Sequence, residues 1–301
     1  MVEAREMTDI DVADFPVAVI GGGVMGNGIA LNVAMSGYDV AVVETDEQAR
    51  TSFNARLRRA YQLARFVAKP GSAAREPFAD IAARIRVVAA LPSRLDVAIA
   101  IECITENVAS KARLYRALED ACPPRTLFAT NTSCISVATI DTWTQRPDRT
   151  VGVHFMNPAA VRDAVELIRG PRTSDQTMDA VAGFLGRLGK RFNIVNDATG
   201  FVINRVLMVA INEAIGLVER GVASAAEVDA LFVRCLGHQT GPLATADLIG
   251  LDVIRDSLIV LRDESNDRFY EPKALLSRLV AAGSLGHKTG TGFHTYRERK
   301  A

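Results

Sequence analysis

The chain has 301 residues, with 35 lysines and arginines against 35 aspartates and glutamates, and 49% of it is hydrophobic. That length suits one large or two modest domains, and the balanced charge sets up no field that would draw nucleic acid or an anionic membrane, so a small or locally charged ligand is the expected partner. Cys103, Cys122, Cys134 and Cys235 show neither a CxxC pair nor metal-ligand spacing, the start is acidic and polar, and no apolar run nears membrane-spanning length; reduced thiols, no metal and a soluble cytoplasmic protein are expected.

Residues 1–15 read as a flexible tail. PVAVIGGGVMGNGIALNVAMSGYDVAVVETD (16–46) then passes from a strand pattern to a helical one and back, the mark of a βαβ unit. Residues 47–68 have helical spacing with a basic face, and the prolines and glycine of KPGSAAREP end them, which predicts a surface-exposed helical arm. Apolar runs at RIRVVAAL, VAIAIECI, TLFATN and TVGVHF, separated by helix-compatible stretches, predict a mainly parallel, doubly wound α/β sheet over 16–196. From 197 to 301 the texture is helical: FVINRVLMVAINEAIGLVERG, SAAEVDALFVRCLG, LDVIRDSLIVLRDES and PKALLSRLVAAG carry it.

Gly21, Gly23 and Gly26 form GxGxxG between a predicted strand and a predicted helix, with Val24 and Met25 inside the motif. The first glycine allows a tight turn, the second a close approach of pyrophosphate, and the third close packing of helix on strand. Glu44 ends the second strand, where a carboxylate hydrogen-bonds an adenosine ribose diol and repels a 2′-phosphate, an effect neighbouring Asp46 would reinforce. NAD is therefore expected over NADP. Simple capping of the strand is the other use open to Glu44.

His154 closes the run VGVHF, and Glu166 lies inside AVELIRG. If those runs are neighbouring strands joined by NPAAVRD, Glu166 faces His154 and holds one ring nitrogen. Alcohol oxidation needs a base for the hydroxyl proton, and imidazole takes and returns a proton near neutral pH. Pairing of Glu166 with Arg162 or Arg169 at the surface is the alternative. Asn131, Thr132 and Ser133 follow a strand's C-terminal end, where ligands bind in doubly wound sheets; Ser133 either donates to a substrate oxygen or caps the next helix. Asn204 interrupts an apolar stretch, for a substrate at the domain junction or for a structural hydrogen bond.

Taken together, VIGGGVMGNGIA, ATNTS, VHFMNP, VELI, TGFVINR, TGPLATADLIGLD and GHKTGTGFHTY resemble, in order, the motifs of the short-chain L-3-hydroxyacyl-CoA dehydrogenases, 3-hydroxybutyryl-CoA dehydrogenases included. The resemblance runs from about Pro16 to Tyr296. It implies a Rossmann-type domain followed by an all-α domain, oxidation at C3 of a 3-hydroxyacyl thioester with NAD, and Ser133, His154, Glu166 and Asn204 as the active site. It places Glu106 and Lys111 near the nicotinamide end of the cofactor, and Asn131 beside the cofactor as well. Asn157 would meet the acyl carrier, Arg56 and Arg59 would meet its 3′-phosphate or else merely solvate the helix face, and paired helical domains would make a homodimer, with which LMVAINEAIGLV and LIVLRD are compatible, as they are with an ordinary core. Cys134 after Ser133, together with Met156, Ala160 and Thr199, departs from the usual family spelling. HFMNP with RDAVE, TSC, and GPLATADLIGLD followed by a long NDRFYEP loop are similar to a branch tied to polyketide extender-unit biosynthesis, in which the thioester is held on an acyl carrier protein rather than coenzyme A. A catalytically silent NAD-binding protein on the same scaffold is the alternative of another class, against which the intact four polar residues speak.

Overall fold

The structure is a computed structural model and describes residues 16–68 and 76–296. The tail predicted over 1–15 and most of the KPGSAAREP break lie outside the described residues. The chain divides into two compact units, with the division between Ala198 and Thr199.

The first unit is built on an eight-stranded sheet in the order β3-β2-β1-β4-β5-β6-β7-β8. Its inner strands β1 (Val17–Ile20), β4 (Ile99–Glu102) and β5 (Leu127–Thr130) are buried at every position. Parallel strands covered by helices on both faces read as unbroken apolar runs rather than as alternation, which is why the sequence marks them clearly. β2 (Val40–Val43) and β3 (Ile85–Val88) extend the sheet on one side, β6 (Thr150–Phe155), β7 (Ala164–Arg169) and β8 (Arg191–Asn196) on the other. All neighbours are parallel except β6 and β7, which are antiparallel. The expected doubly wound α/β class is thus observed. The edge strand β8 is not read from the sequence, because RFNIVN leaves Ile194 56% exposed and its other residues half-buried or exposed.

Helix α1 (Val24–Met35) follows the glycine turn, and α2 (Glu47–Val67) is not a free arm. Phe53, Leu57, Tyr61 and Ala64, at helical spacing, bury one face of α2 in the core it shares with α1 and the strands. Its opposite face carries the arginines. Then come α3 (Phe78–Ala83), α4 (Val108–Ala121), α5 (Val137–Asp141) and α6 (Asp175–Arg187).

The second unit is helical: α7 (Ile203–Glu219), α8 (Ala225–Leu236), α9 (Pro242–Ile249), α10 (Leu251–Ser265) and α11 (Ala274–Ala281). Met208, Ile211, Ile215, Leu258 and Leu261 belong to its core. Of the two uses open to LMVAINEAIGLV and LIVLRD, dimer surface or ordinary core, these residues supply internal packing. Two buried carboxylates staple the unit. Asp229 accepts from the amides of Leu243 and Ala244, at 2.8 Å each, and so caps α9 from outside the helix. Asp247 accepts from Phe293 and His294 amides and from the Tyr296 hydroxyl, each at 2.9 Å, which fixes the GHKTGTGFHTY segment.

Candidate active site

The C-terminal ends of β1, β4, β5 and β6, adjacent in the sheet, bring the chemistry together. At the end of β1 the chain turns through Gly21 with φ +101°, a conformation that favours glycine. A Cβ on Gly26 would lie 1.8 Å from the Gly21 carbonyl oxygen, so α1 approaches β1 only because Gly26 has none. Gly23 differs: an added Cβ would meet nothing within 4 Å. It is the N-cap of α1, and no side chain caps the first-turn amides. The fold itself does not require glycine there, whereas a diphosphate held on those amides does. Val24 is 68% exposed beside the turn, while Met25 is partly buried against the core.

Gly23→Ala should therefore leave thermal stability within about 0.5 kcal/mol of the parent, since φ there is −63°. NADH affinity should fall at least tenfold. A titration of NADH fluorescence beside a thermal melt checks both, and unchanged affinity would remove the diphosphate from this turn.

Glu44 accepts from the Gly22 amide at 2.8 Å and the Asp46 amide at 2.9 Å. It is anchored to the turn and not merely a strand cap, and each carboxylate oxygen keeps a lone pair for a ribose diol. Asp46, expected to reinforce the repulsion of a 2′-phosphate, also caps α2, its Oδ1 accepting from the Ala49 amide at 2.6 Å. Arg56, expected to meet the carrier's 3′-phosphate or else to solvate the helix face, is committed to the protein: its Nη2 donates to the carbonyls of Gly22 (2.8 Å) and Ala49 (2.9 Å), and Nη1 to Ser52. It braces the glycine turn. Arg59 has no partner among the described residues; with Val24, Gly28, Leu63, Asn157 and Ala160 it lines a groove of about 230 Å³ between α2 and the loop after β6.

At the end of β4, Glu102 is 1% exposed and accepts from Lys111 Nζ (2.6 Å), Thr130 Oγ1 (2.8 Å) and the Ile104 amide (2.8 Å). Burial lifts its carboxyl above the usual range, opposed by the Lys111 ammonium. Lys111, expected at the cofactor, is itself 1% exposed and enclosed by Glu102 and, at 3.4 Å, Glu106. It holds these carboxylates instead of facing a ligand. Glu106 accepts from the Thr132 hydroxyl and from the amides of Cys134 (3.1 Å) and Ile135 (3.3 Å). It thus clamps the loop on both sides of Ser133. Glu102 was missed in the sequence, although a carboxylate closing an apolar strand, with a lysine nine residues on in a helix, is a readable sign of a buried pair.

Asn131 accepts from the Phe155 amide at 2.9 Å, tying the end of β5 to the strand that carries His154. The antiparallel pair β6 and β7 sets His154 opposite Glu166. Both are buried, 7% and 6% exposed. His154 Nδ1 lies 2.7 Å from Glu166 Oε2, and Nε2 lies 3.1 Å from Ser133 Oγ. Glu166 faces inward and not toward a surface arginine, and the cap of α5 is Ser136, which leaves Ser133 to the histidine. With the carboxylate accepting from Nδ1–H, Nε2 is the acceptor nitrogen. Asn204 belongs to the second unit, at the start of α7, and is 9% exposed.

Comparison with known proteins agrees in both units. Residues 16–198 match the family described as 3-hydroxyacyl-CoA dehydrogenase, NAD binding domain, and residues 200–296 match its C-terminal domain. A probable 3-hydroxybutyryl-CoA dehydrogenase of Bacillus subtilis is 40% identical over 283 residues, covering 94% of this chain and 98% of that protein. The crystal structure of (S)-3-hydroxybutyryl-CoA dehydrogenase PaaH1 from Ralstonia eutropha superposes with a TM-score of 0.82 at 36% identity, over 94% of this chain and 99% of that one. The structure of FadB2 from M. tuberculosis gives 0.86 at 33% identity, with coverage of 94% and 99%.

Proposed function

The chain belongs to the 3-hydroxyacyl-CoA dehydrogenase family, is an NAD-dependent oxidoreductase, and we propose that it interconverts a 3-hydroxyacyl thioester and its 3-oxo form with His154 as the base and acid. The observation that carries this reading is the file Ser133 Oγ, His154 Nε2, His154 Nδ1 and Glu166, joined at 3.1 and 2.7 Å. When bound at the glycine turn, NAD supplies the hydride acceptor. Nε2 takes the proton of the C3 hydroxyl, and Glu166 stabilises the imidazolium that results. Ser133 donates to the substrate oxygen, held in place by the Glu106 clamp on its loop. In reduction His154 returns the proton. Asn204 is assigned to the substrate oxygens on the family resemblance. The groove edged by Asn157 and Arg59 suits the chain of the acyl carrier, with the guanidinium available to a carrier phosphate.

The test is NADH oxidation with acetoacetyl-CoA beside a matched acyl thioester on a phosphopantetheinyl carrier protein. Turnover of the CoA ester supports the reading. Turnover of the carrier-bound thioester alone overturns coenzyme A as the carrier.

Glu44→Gln should keep a hydrogen bond from the Gly22 amide while removing the charge that repels a 2′-phosphate. Arg50, held on the carbonyls of Glu44 and Thr45, then stands beside the site without an adjacent Glu44 charge. The preference for NAD over NADP in kcat/KM should drop about tenfold or more, roughly the 1.4 kcal/mol of one modest charge contact; an unaltered ratio would remove Glu44 from cofactor choice.

The helical unit is assigned as the homodimer surface, in a cytoplasmic enzyme. Val206, Leu231, Leu236 and Leu248 are each more than half exposed on α7, α8 and α9, and burying them against a second copy would remove that apolar surface from water. Among the described residues no helix is long and apolar enough to cross a membrane. Light scattering after gel filtration reads the mass directly, and a monomer at micromolar concentration would refute the dimer.

A further inference from the structure

Lys190 takes no part in the relay or the glycine turn, yet it is a charged side chain only 6% exposed. It sits between α6 and β8, and its Nζ donates to the carbonyl oxygens of Ala159 and Arg162, at 2.7 Å each. Both acceptors lie in the loop over 156–163 that joins β6 to β7. One face of that loop, Asn157 to Ala160, walls the 230 Å³ groove beside Arg59. Its other side, Ala160, Val161 and Asp163, borders a separate cavity of about 500 Å³ against α1, α2 and the 187–190 turn. Ala160 borders both. The loop thus has space on either side of Ala160, while Ala159, 3% exposed, packs into the core beside Gly28 of α1. Its own bonds are local, from the Val161 and Arg162 amides to the Pro158 carbonyl. Beside the packing of Ala159 on α1, the hydrogen bonds of Lys190, and of the backbone and guanidinium of neighbouring Arg191 on Asp163, tie it to the rest of the unit.

We propose that Lys190 is a positioning residue for acyl-carrier recognition, its ammonium holding the 156–163 loop at the distance from α2 that the carrier chain requires. This rests on the reading of the groove given above. The groups around Nζ are few. The loop presents Asp163, which also pairs with Arg191 of β8, α6 presents Arg187, α1 presents the uncharged Asn32 and Ser36, and α2 presents only apolar side chains to this cavity. Burial brings the Lys190 pKa down to about 8, with Asp163 opposing. Above that pH the charge-assisted bonds to the two carbonyls weaken, so the tie loosens within the range in which an enzyme is readily assayed.

The test compares the parent with Lys190→Met and Lys190→Arg, using acetoacetyl-CoA and NADH from pH 6.5 to 9.5. For Lys190→Met the KM for the thioester should rise about tenfold at pH 7, with kcat within about threefold and NADH affinity unchanged. The parent's KM should rise toward that of the methionine variant as pH passes 8, and the permanently charged arginine should abolish that rise. Equal KM in parent and Lys190→Met, or a parent KM flat to pH 9.5, overturns the proposal; the second criterion holds even where the methionine variant does not fold. Hydrogen exchange at the Val161 and Arg162 amides is read in parallel and needs no substrate. Exchange about tenfold faster in either uncharged state is expected, and unchanged protection overturns the tie. A parent that turns over no acyl thioester would refute the proposed reaction, and the exchange rates would still decide the tie.

Discussion

Replacing His154 with alanine should lower kcat by about 10³-fold, roughly 4 kcal/mol of transition-state stabilisation, while NADH binds within twofold of the parent. The split follows from position: the imidazole lies at the end of β6, and the amides offered to the cofactor lie after β1. Glu166→Gln should cost less, about 10²-fold, because the amide can still orient the ring but no longer balances an imidazolium. The double variant should be little worse than His154→Ala, since the carboxylate acts only through the ring. Single-turnover kinetics with fluorescence titration of NADH measure all three. A histidine variant within tenfold of the parent would remove the base assignment, and additive losses in the double variant would give Glu166 a separate role.

The largest effect on stability is expected at Lys111. Lys111→Met leaves Glu102 buried without its counter-charge, and breaking such a pair costs about 3–5 kcal/mol. The pH dependence has a definite sign. Burial already raises the Glu102 carboxyl, and loss of the ammonium raises it further, so the folded variant holds a proton where the unfolded chain has released it. Stability of the variant then falls as pH climbs from the unfolded carboxylate value, and the deficit against the parent is full above the folded value. Denaturant melts at pH 5 and pH 8 should show the smaller deficit at pH 5. Glu102→Gln combined with Lys111→Met should recover much of the loss, because no charge is then stranded. A deficit equal at both pH values would place the cost in packing and not in charge.

What the sequence disclosed and what it hid differ by range. The glycine turn is legible because each glycine answers to a neighbour close in sequence or to the strand that leads into it. His154 and Glu166 are legible because they face one another across a short connection, within reach of a period-two argument. Arg56 is not, since its guanidinium folds back on a carbonyl thirty-four residues away, and a helical arginine on a polar face gives no sign of that. Glu106 and Lys111 carry family positions, but only the structure separates the carboxylate that clamps the Ser133 loop from the lysine enclosed behind it. β8 fails for a different reason: RFNIVN sets Ile194 and Val195 side by side among polar residues, so it shows neither clean alternation nor an unbroken apolar run, and its pairing with β7 is set by the sheet, not by its own composition.

The reversal between β6 and β7 has a consequence for how this site can diverge. Register is held by the pairs Gly152↔Ile168, Val153↔Leu167, His154↔Glu166 and Phe155↔Val165, so the His154–Glu166 pair is internal to one hairpin. The connection between those strands can lengthen, shorten or change its side chains without moving His154 against Glu166, provided the ladder keeps its register. A slip of one residue would turn the imidazole to the opposite face. On the proposed reading, chemistry and carrier recognition are therefore separately mutable: grafting a different 156–163 connection should change the thioester carrier that is accepted while the His154–Glu166 pair stays intact.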